Sequence, residues 1–162
     1  MPVRYKKSIS AMALVSVMVI LHCSSAPTVP PVPAHPNLVI LASAGGGYVG
    51  SSSNVTIYGN GKVVYENRVV CCSPPEEHKE AEVTQERIEG LIKIFNDNNF
   101  FSFNDDYSLG GDMIFDITYK DPPVIKTVYG NGFVIPGHTS ANPAGWDTIW
   151  NECWKIKQEL FP

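Results

Sequence analysis

The sequence lacks the short motifs that mark many catalytic and cofactor sites. It has no Gly-Lys-Ser or Gly-Lys-Thr to close a phosphate loop, no nucleophile elbow and no Cys-x-x-Cys pair. The acidic residues around Gly110-Gly111 do not make a calcium loop, because Leu109 and Phe115 stand where glycine and glutamate are needed. We therefore predict no catalytic residues, no metal site and no cofactor.

Basic residues are also few. The chain has 12 Lys and Arg against 16 Asp and Glu, for a formal net charge of −4 at pH 7. Three of the cations, Arg4, Lys6 and Lys7, lie at the amino terminus and precede the rest of the chain. Phosphate backbones would be repelled by such a protein, so nucleic acid is not expected as a partner.

No apolar stretch reaches the about 20 residues that a membrane-spanning helix needs. The longest, Ile9–Leu21, follows the three amino-terminal cations and is followed by Cys23. A basic start, a short apolar segment and a polar stop are typical of a secretory leader. Residues 1–23 are therefore predicted to be a signal peptide, and the protein is expected to be exported to the cell envelope or secreted.

The end of this leader leaves two alternatives open. Ile20, Leu21 and Cys23 resemble a lipoprotein box, in which Cys23 would carry the lipid that anchors the protein to a membrane. His22 departs from that pattern, because a small residue normally precedes the lipidated cysteine. The alternative is cleavage after one of the small residues in Ser24–Ala26.

Residues 24–36 form a predicted Pro-rich tether. Five prolines lie in this segment, at positions 27, 30, 31, 33 and 36. Prolines at this density favour an extended polyproline II conformation of about 3.1 Å per residue, although a disordered spacer is the alternative. Residues 37–162 are then predicted to form a single domain, which is long enough to bury a core without metal or disulfide.

Short runs of alternating or β-branched residues predict an antiparallel sheet of four to five strands. The predicted strands are Leu38–Ala42, Val55–Tyr58, Lys62–Tyr65, Met113–Tyr119 and Val124–Tyr129. Gly59-Asn60-Gly61 supplies the positive φ angles of a hairpin turn. The charged segment Glu76–Glu82 is interpreted as a solvated approach to the first helix.

Two segments have helical spacing of apolar residues. The first helix is predicted to follow Thr84 and to end at Asn98-Asn99, after which Phe100, Phe101 and Phe103 are expected to enter the core. The second is predicted to start at Asn142-Pro143. Their apolar positions are Ile88, Leu91, Ile92, Phe95, Trp146, Ile149, Trp150 and Cys153. Two helices on one face of the sheet predict a two-layer α+β domain.

The remaining cysteines and histidines have structural interpretations. A disulfide from Cys71 or Cys72 to Cys153 would tie a loop to the core, with Cys72 and Cys153 as the candidate pair. A vicinal Cys71-Cys72 disulfide and unpaired buried thiols remain alternatives. His78 and His138 are interpreted as solvated loop histidines, since neither has a neighbour at metal-ligand spacing.

The most distinctive motif in the predicted domain is a glycine-rich run. Gly45, Gly46, Gly47, Tyr48 and Gly50 lie between the first predicted strand and the first hairpin. Consecutive glycines permit a backbone excursion or a wide bulge, with Tyr48 folded onto the sheet or presented outward. A structural bulge and a candidate binding loop are both compatible with this pattern.

These motifs resemble the emfourin family, small inhibitors of thermolysin-type metallopeptidases. The matching residues are Gly46, Gly47, Tyr48, Val49, Gly50, Phe100-Phe101, Asp112, Phe115, Ile117 and Thr118. The order of elements is also similar to domain-of-unknown-function family 6438, which is common in bacterial lipoproteins. The resemblance implies an α+β fold and a peptidase as the protein partner. Tyr48-Val49 replaces the usual Phe-Ala, and the Cys71–Glu82 insertion is not typical.

The sequence thus predicts an exported, lipid-anchored, non-enzymatic domain that binds a protein. Inhibition of a thermolysin-like metallopeptidase is the most specific version of this hypothesis. The alternatives are a structural envelope component and a small exported enzyme. The enzyme would require His138, Asp112 and a serine to converge in one pocket.

Overall fold

The computed structural model describes residues 33–46, 50–69, 74–107, 113–131 and 142–162. The elements in chain order are β1 (Val39–Gly46), β2 (Ser51–Tyr58), β3 (Lys62–Arg68), β4 (Glu77–Glu82), α1 (Gln85–Asp97), β5 (Met113–Asp121), β6 (Val124–Gly130) and α2 (Trp146–Leu160). A 3₁₀ turn, Phe100–Ser102, follows α1. The predicted leader, including Cys23, and most of the predicted tether lie outside the described residues.

The strands form one antiparallel sheet in the order β4-β3-β2-β1-β5-β6. The predicted α+β class is confirmed, but the sheet has six strands instead of four to five. The additional strand is β4, so the interpretation of this segment as a mere approach to α1 was wrong. It pairs only with β3, and none of its six residues is fully buried. Its sequence therefore lacks the apolar pattern from which a strand can be predicted.

The register of the sheet places the core on one face. Ile40 of β1 pairs with Ile57 of β2 and with Tyr119 of β5, and paired residues point to the same side of a sheet. The helices pack on this side, which we call the covered face. The core lies between the helices and the sheet. Its buried residues include Ile40, Ala42, Val55, Ile57, Ile88, Leu91, Phe95, Ile117, Trp146, Ile149, Cys153 and Ile156. The opposite side is called the open face.

Helix α1 begins and ends as its sequence predicts. The Thr84 hydroxyl accepts from the backbone N–H of Arg87, and Asn99 adopts a left-handed conformation with φ 55° after the last turn. Phe100 and Phe103 are buried, whereas Phe101 is 39% exposed. The expectation that all three phenylalanines enter the core was therefore wrong for Phe101.

Helix α2 begins later than predicted. Its first residue is Trp146, and Gly145 with φ 95° precedes it, so the predicted start at Asn142-Pro143 was wrong. The Asn142 side chain donates through Nδ2 to Oδ1 of Asp147, in the first turn of α2, at 3.2 Å, and it also bonds the backbone at the end of β6. Its Oδ1 accepts from the backbone N–H of Asn131 at 2.7 Å, and its Nδ2 donates to the Asn131 carbonyl at 2.9 Å. These bonds join the end of β6 to the approach to α2.

The two ends of the sheet are different. At one end, called the turn end, tight turns connect β2 to β3 and β5 to β6, and Gly61 has φ 94° in the first of them. The other end, called the hairpin end, carries the connection between Gly46 and Ser51, which are paired with each other. Helix α1 packs Phe95 on Tyr119, while α2 packs Trp150 on Phe115.

Candidate binding surface

A row of polar side chains crosses the open face. Each strand contributes one member, and the register pairs each with the next, in the order His78, Glu66, Asn54, Ser43, Asp116 and Tyr129. We call these residues the polar row. At about 4.8 Å between strands, it extends for about 24 Å. Both described helices pack on the covered face, so neither of them lies over this row.

Asp116 is the half-buried acid of the polar row. Burial raises the pKa of its carboxyl group above the ordinary value of 3.8, and a hydrogen bond with the Ser43 side chain opposes that rise. The raised pKa means that the folded protein disfavours the carboxylate form. A partner that donates a hydrogen bond or brings a positive charge to Asp116 would relieve this cost.

The other end of the polar row is an exposed charge network. His78 Nδ1 lies 3.2 Å from Glu66, and its Nε2 lies 3.2 Å from Glu80. Arg68 contacts Glu66 at 3.3 Å, and Lys62 contacts Glu80 at 2.8 Å. Hydrogen bonds with Glu66 and then Glu80 raise the pKa of His78. The interpretation of His78 as a loop residue was wrong, because it lies in β4.

A second row of side chains runs beside the polar row on the open face. Its members by register are Glu80, Val64, Thr56, Leu41, Thr118 and Thr127. The hydroxyl oxygens of Thr118 and Thr127 are 2.9 Å apart. Ile114 and Tyr129 are among the exposed large apolar side chains of this face. The open face therefore mixes apolar, hydroxyl and charged groups, as many transient protein interfaces do.

The glycine-rich run connects β1 to β2. Gly45 lies in β1 and pairs with both Ser52 and Ile114, so strand β1 continues further than predicted, and Gly46 pairs with Ser51. Gly46 and Gly50 have φ angles of 130° and 67°, which favour glycine. Gly47 and Tyr48 of the candidate binding loop lie outside the described residues, so the role of that loop stays a prediction.

The predicted disulfide also stays a prediction. Cys153 is a buried cysteine on α2 with no disulfide partner among the described residues, and burial raises the pKa of its thiol to about 12. Cys71 and Cys72 lie outside the described residues. A thiol with this pKa is not a nucleophile at neutral pH, so Cys153 has the properties of a core residue.

The other residues considered for chemistry do not form a site in the described part of the chain. Within it, no group of three or more His, Cys, Asp or Glu side chains could hold a metal ion. Ser51 and Ser53 lie in β2, and the Ser53 hydroxyl donates to Asn67 at 2.9 Å. His138 and Asp112, which the enzyme alternative requires, lie outside the described residues.

Two shallow clefts lie at the turn end. One, of about 240 Å³, is lined by Asn96, Phe101, Tyr119, Asp121 and Val124. The other, of about 180 Å³, is lined by Lys62, Glu80, Ala81 and Glu82. The first has three apolar or aromatic side chains among its five lining residues, whereas the second is mostly charged.

Comparisons with known proteins give no family for this chain. No protein-family model matches it, and no curated protein matches it. None of the helices in the described ranges is long and apolar enough to cross a membrane.

Sequence reasoning missed the polar row. Its members lie at separate positions from Ser43 to Tyr129, and only the pairing of six strands brings them together. The available signal was alternation within each strand, which predicts that every second residue shares a face. Without β4, however, the partnership of His78 with Glu66 could not be predicted.

Proposed function

We propose that this protein is an exported, lipid-anchored, non-enzymatic domain that binds another protein. The observation that supports the proposal is the open face with its polar row, which no described helix covers. Six strands of about seven residues present about 600 Å² on one side. A typical specific interface takes about 800 Å² from each partner, so this face alone supplies about three quarters of that area.

The most specific version of the proposal is inhibition of a thermolysin-like metallopeptidase. Its support is the resemblance in the glycine-rich run and the position of that run at the end of β1, the strand between β2 and β5. Gly46 and Ser51, on either side of residues 47–50, are paired in the sheet, so both ends of the run are fixed before a partner binds. In this version the segment from Gly45 to Gly50 contacts the peptidase.

The test is an inhibition assay with the exported, processed protein. At micromolar concentration it should lower the activity of at least one of several thermolysin-like peptidases. Tyr48→Ala should weaken inhibition if the hairpin is the contact, whereas Tyr129→Ala should weaken it if the open face is. Absence of inhibition across the set would remove the peptidase version.

The broader proposal has its own test. The anchored protein can be cross-linked in intact cells through photoreactive groups placed at Ser43 or Thr118 of the open face. A recurrent protein adduct at these positions, and none at Glu89 on the exposed side of α1, would support protein binding. Adducts with cell-wall material instead would favour the alternative of a structural envelope component.

A further inference from the structure

Three exposed apolar side chains surround the turn between β5 and β6. Phe101 is 39% exposed, Val124 46% and Ile125 65%, which is the highest exposure among the large apolar residues of the described chain. We call these three residues the apolar tip. The other exposed large apolar residues, Val69, Ile114 and Tyr129, lie at the hairpin end. The three residues of the apolar tip are neighbours around one turn, and a group of adjacent exposed apolar side chains indicates a contact surface.

The apolar tip points to both sides of the sheet. Val124 pairs with Asp121 on the covered face, and Phe101 packs on Tyr119 there, with ring centroids 5.0 Å apart. Ile125 is the next residue, so it points to the open face. One flat protein surface cannot contact both sides of a strand end. A bilayer interface can, because lipid surrounds whatever projects into it.

The chain enters the domain beside this turn. His35, near the first described residue, places Nδ1 2.8 Å from Oδ2 of Asp121, the last residue of β5. Cys23 precedes His35 by twelve residues, which span at most about 40 Å. A lipid on Cys23 would therefore keep the apolar tip within reach of the membrane surface. Lys120 is exposed at the same end, next to Asp121, so the local charge is balanced and the contact with lipid depends on the apolar side chains.

We propose that the apolar tip is a membrane-contact site, which inserts Val124, Ile125 and Phe101 into the headgroup region of the bilayer. The inference rests on the proposed lipid anchor. A tethered domain needs only weak affinity for the surface, because the tether keeps the local concentration high. The contact would place the turn end towards the membrane and leave the hairpin end facing away from it.

The test uses the full processed protein in vesicles of phosphatidylethanolamine and phosphatidylglycerol that contain brominated lipids. Tryptophan is introduced at the tip by Ile125→Trp or, as a matched control, by Ile114→Trp. Ile114 is also exposed, at 47%, but lies at the hairpin end. The wild-type protein, with its 3 native tryptophans, provides the background emission.

Contact between bromine and an indole quenches its emission. We expect loss of the added emission in Ile125→Trp and no loss in Ile114→Trp. Both positions are exposed, so neither variant should unfold, and circular dichroism checks this. Quenching at neither position, or equal quenching at both, would overturn the proposal. If the emission of the Ile125→Trp variant changed with protein concentration in the absence of lipid, this would indicate a protein contact along β6 and would also overturn the proposal.

The anchor is tested separately. The mass of the amino-terminal peptide shows whether Cys23 carries acyl chains, which is a question for the proposed function. If it carries none, the same variants are added to vesicles at high lipid concentration. Selective quenching at position 125 would then still support the contact site, and its absence would reject it.

Discussion

Gly130 lies directly against the indole of Trp146. A Cβ atom built on Gly130 would be 2.4 Å from Cζ2 of Trp146, which is too close for any carbon contact. This close contact lies in the core where β6 ends and α2 begins. The hydrogen bonds between Asn131 and Asn142 lie next to it along the chain. The position of α2 on the sheet therefore depends on a residue with no side chain.

Gly130→Ala should destabilise the protein by about 2–3 kcal/mol, because the indole would have to leave a packed core. Gly90 provides a matched control within α1, since its added Cβ would meet nothing within 4 Å. Gly90→Ala should stabilise by up to about 1 kcal/mol through helix propensity. Urea unfolding measures both. Equal effects of the two substitutions would contradict the close packing at Gly130.

Asp116→Asn should raise stability at neutral pH. Burial raises the folded pKa of Asp116 above its unfolded value of 3.8, so ionisation opposes folding. The wild-type protein therefore loses stability as the pH rises through the folded pKa, and the Asn variant does not. Urea midpoints of the two proteins should differ at pH 7 and converge near pH 3. Asp97→Asn, which removes an exposed pair with Lys93, should not stabilise at pH 7.

His78→Gln should remove a pH dependence of stability that begins above pH 6.5. The pKa of His78 is raised above 6.5 in the folded protein. Its contribution to stability is therefore present below pH 6.5 and is lost as the pH rises through the folded pKa. Glu66 and Glu80 have lowered pKa values, so their contributions persist above pH 4.5. Hydrogen exchange of the β4 amides, corrected for intrinsic rate, should show protection that declines with pH only in the wild type.

Cys153 should resist alkylation in the native protein. Its thiol is buried and has a pKa of about 12, so iodoacetamide at pH 8 should label it only after unfolding. Labelling in denaturant without reductant would show that the thiol is free in the native protein. If reductant is required first, Cys153 is in a disulfide, and peptide mass would identify Cys72 or another partner.

The predictable part of the fold is the part with an apolar pattern. The Thr84 cap and the spacing of Ile88, Leu91 and Phe95 gave α1 its correct bounds, and Asn60-Gly61 correctly placed the β2–β3 turn. Strand β4 has no such pattern, because Ala81 is its one apolar residue and packs only partly buried against the core. Its order comes mainly from backbone pairing with β3. The start of α2 could not be predicted, since Asn142 bonds a residue far from its own helix.

The candidate site was less predictable than the fold. The glycine-rich run was recognisable because consecutive glycines permit positive φ angles that other residues rarely adopt. The sequence could not show, however, that Gly45 pairs on both sides within β1. The polar row depends on six strand registers at once. A pattern within one strand contains no information about which residue of the next strand lies opposite.

Strand β4 also has a consequence for the behaviour of the protein at high concentration. Five of its six side chains, in the sequence EHKEAE, are ionisable. A neighbouring molecule that tried to extend the sheet from this margin would have to bring its own strand alongside these hydrated charges. Crowded copies would consequently stay separate at this margin, and ribbon-like polymers would not grow from it.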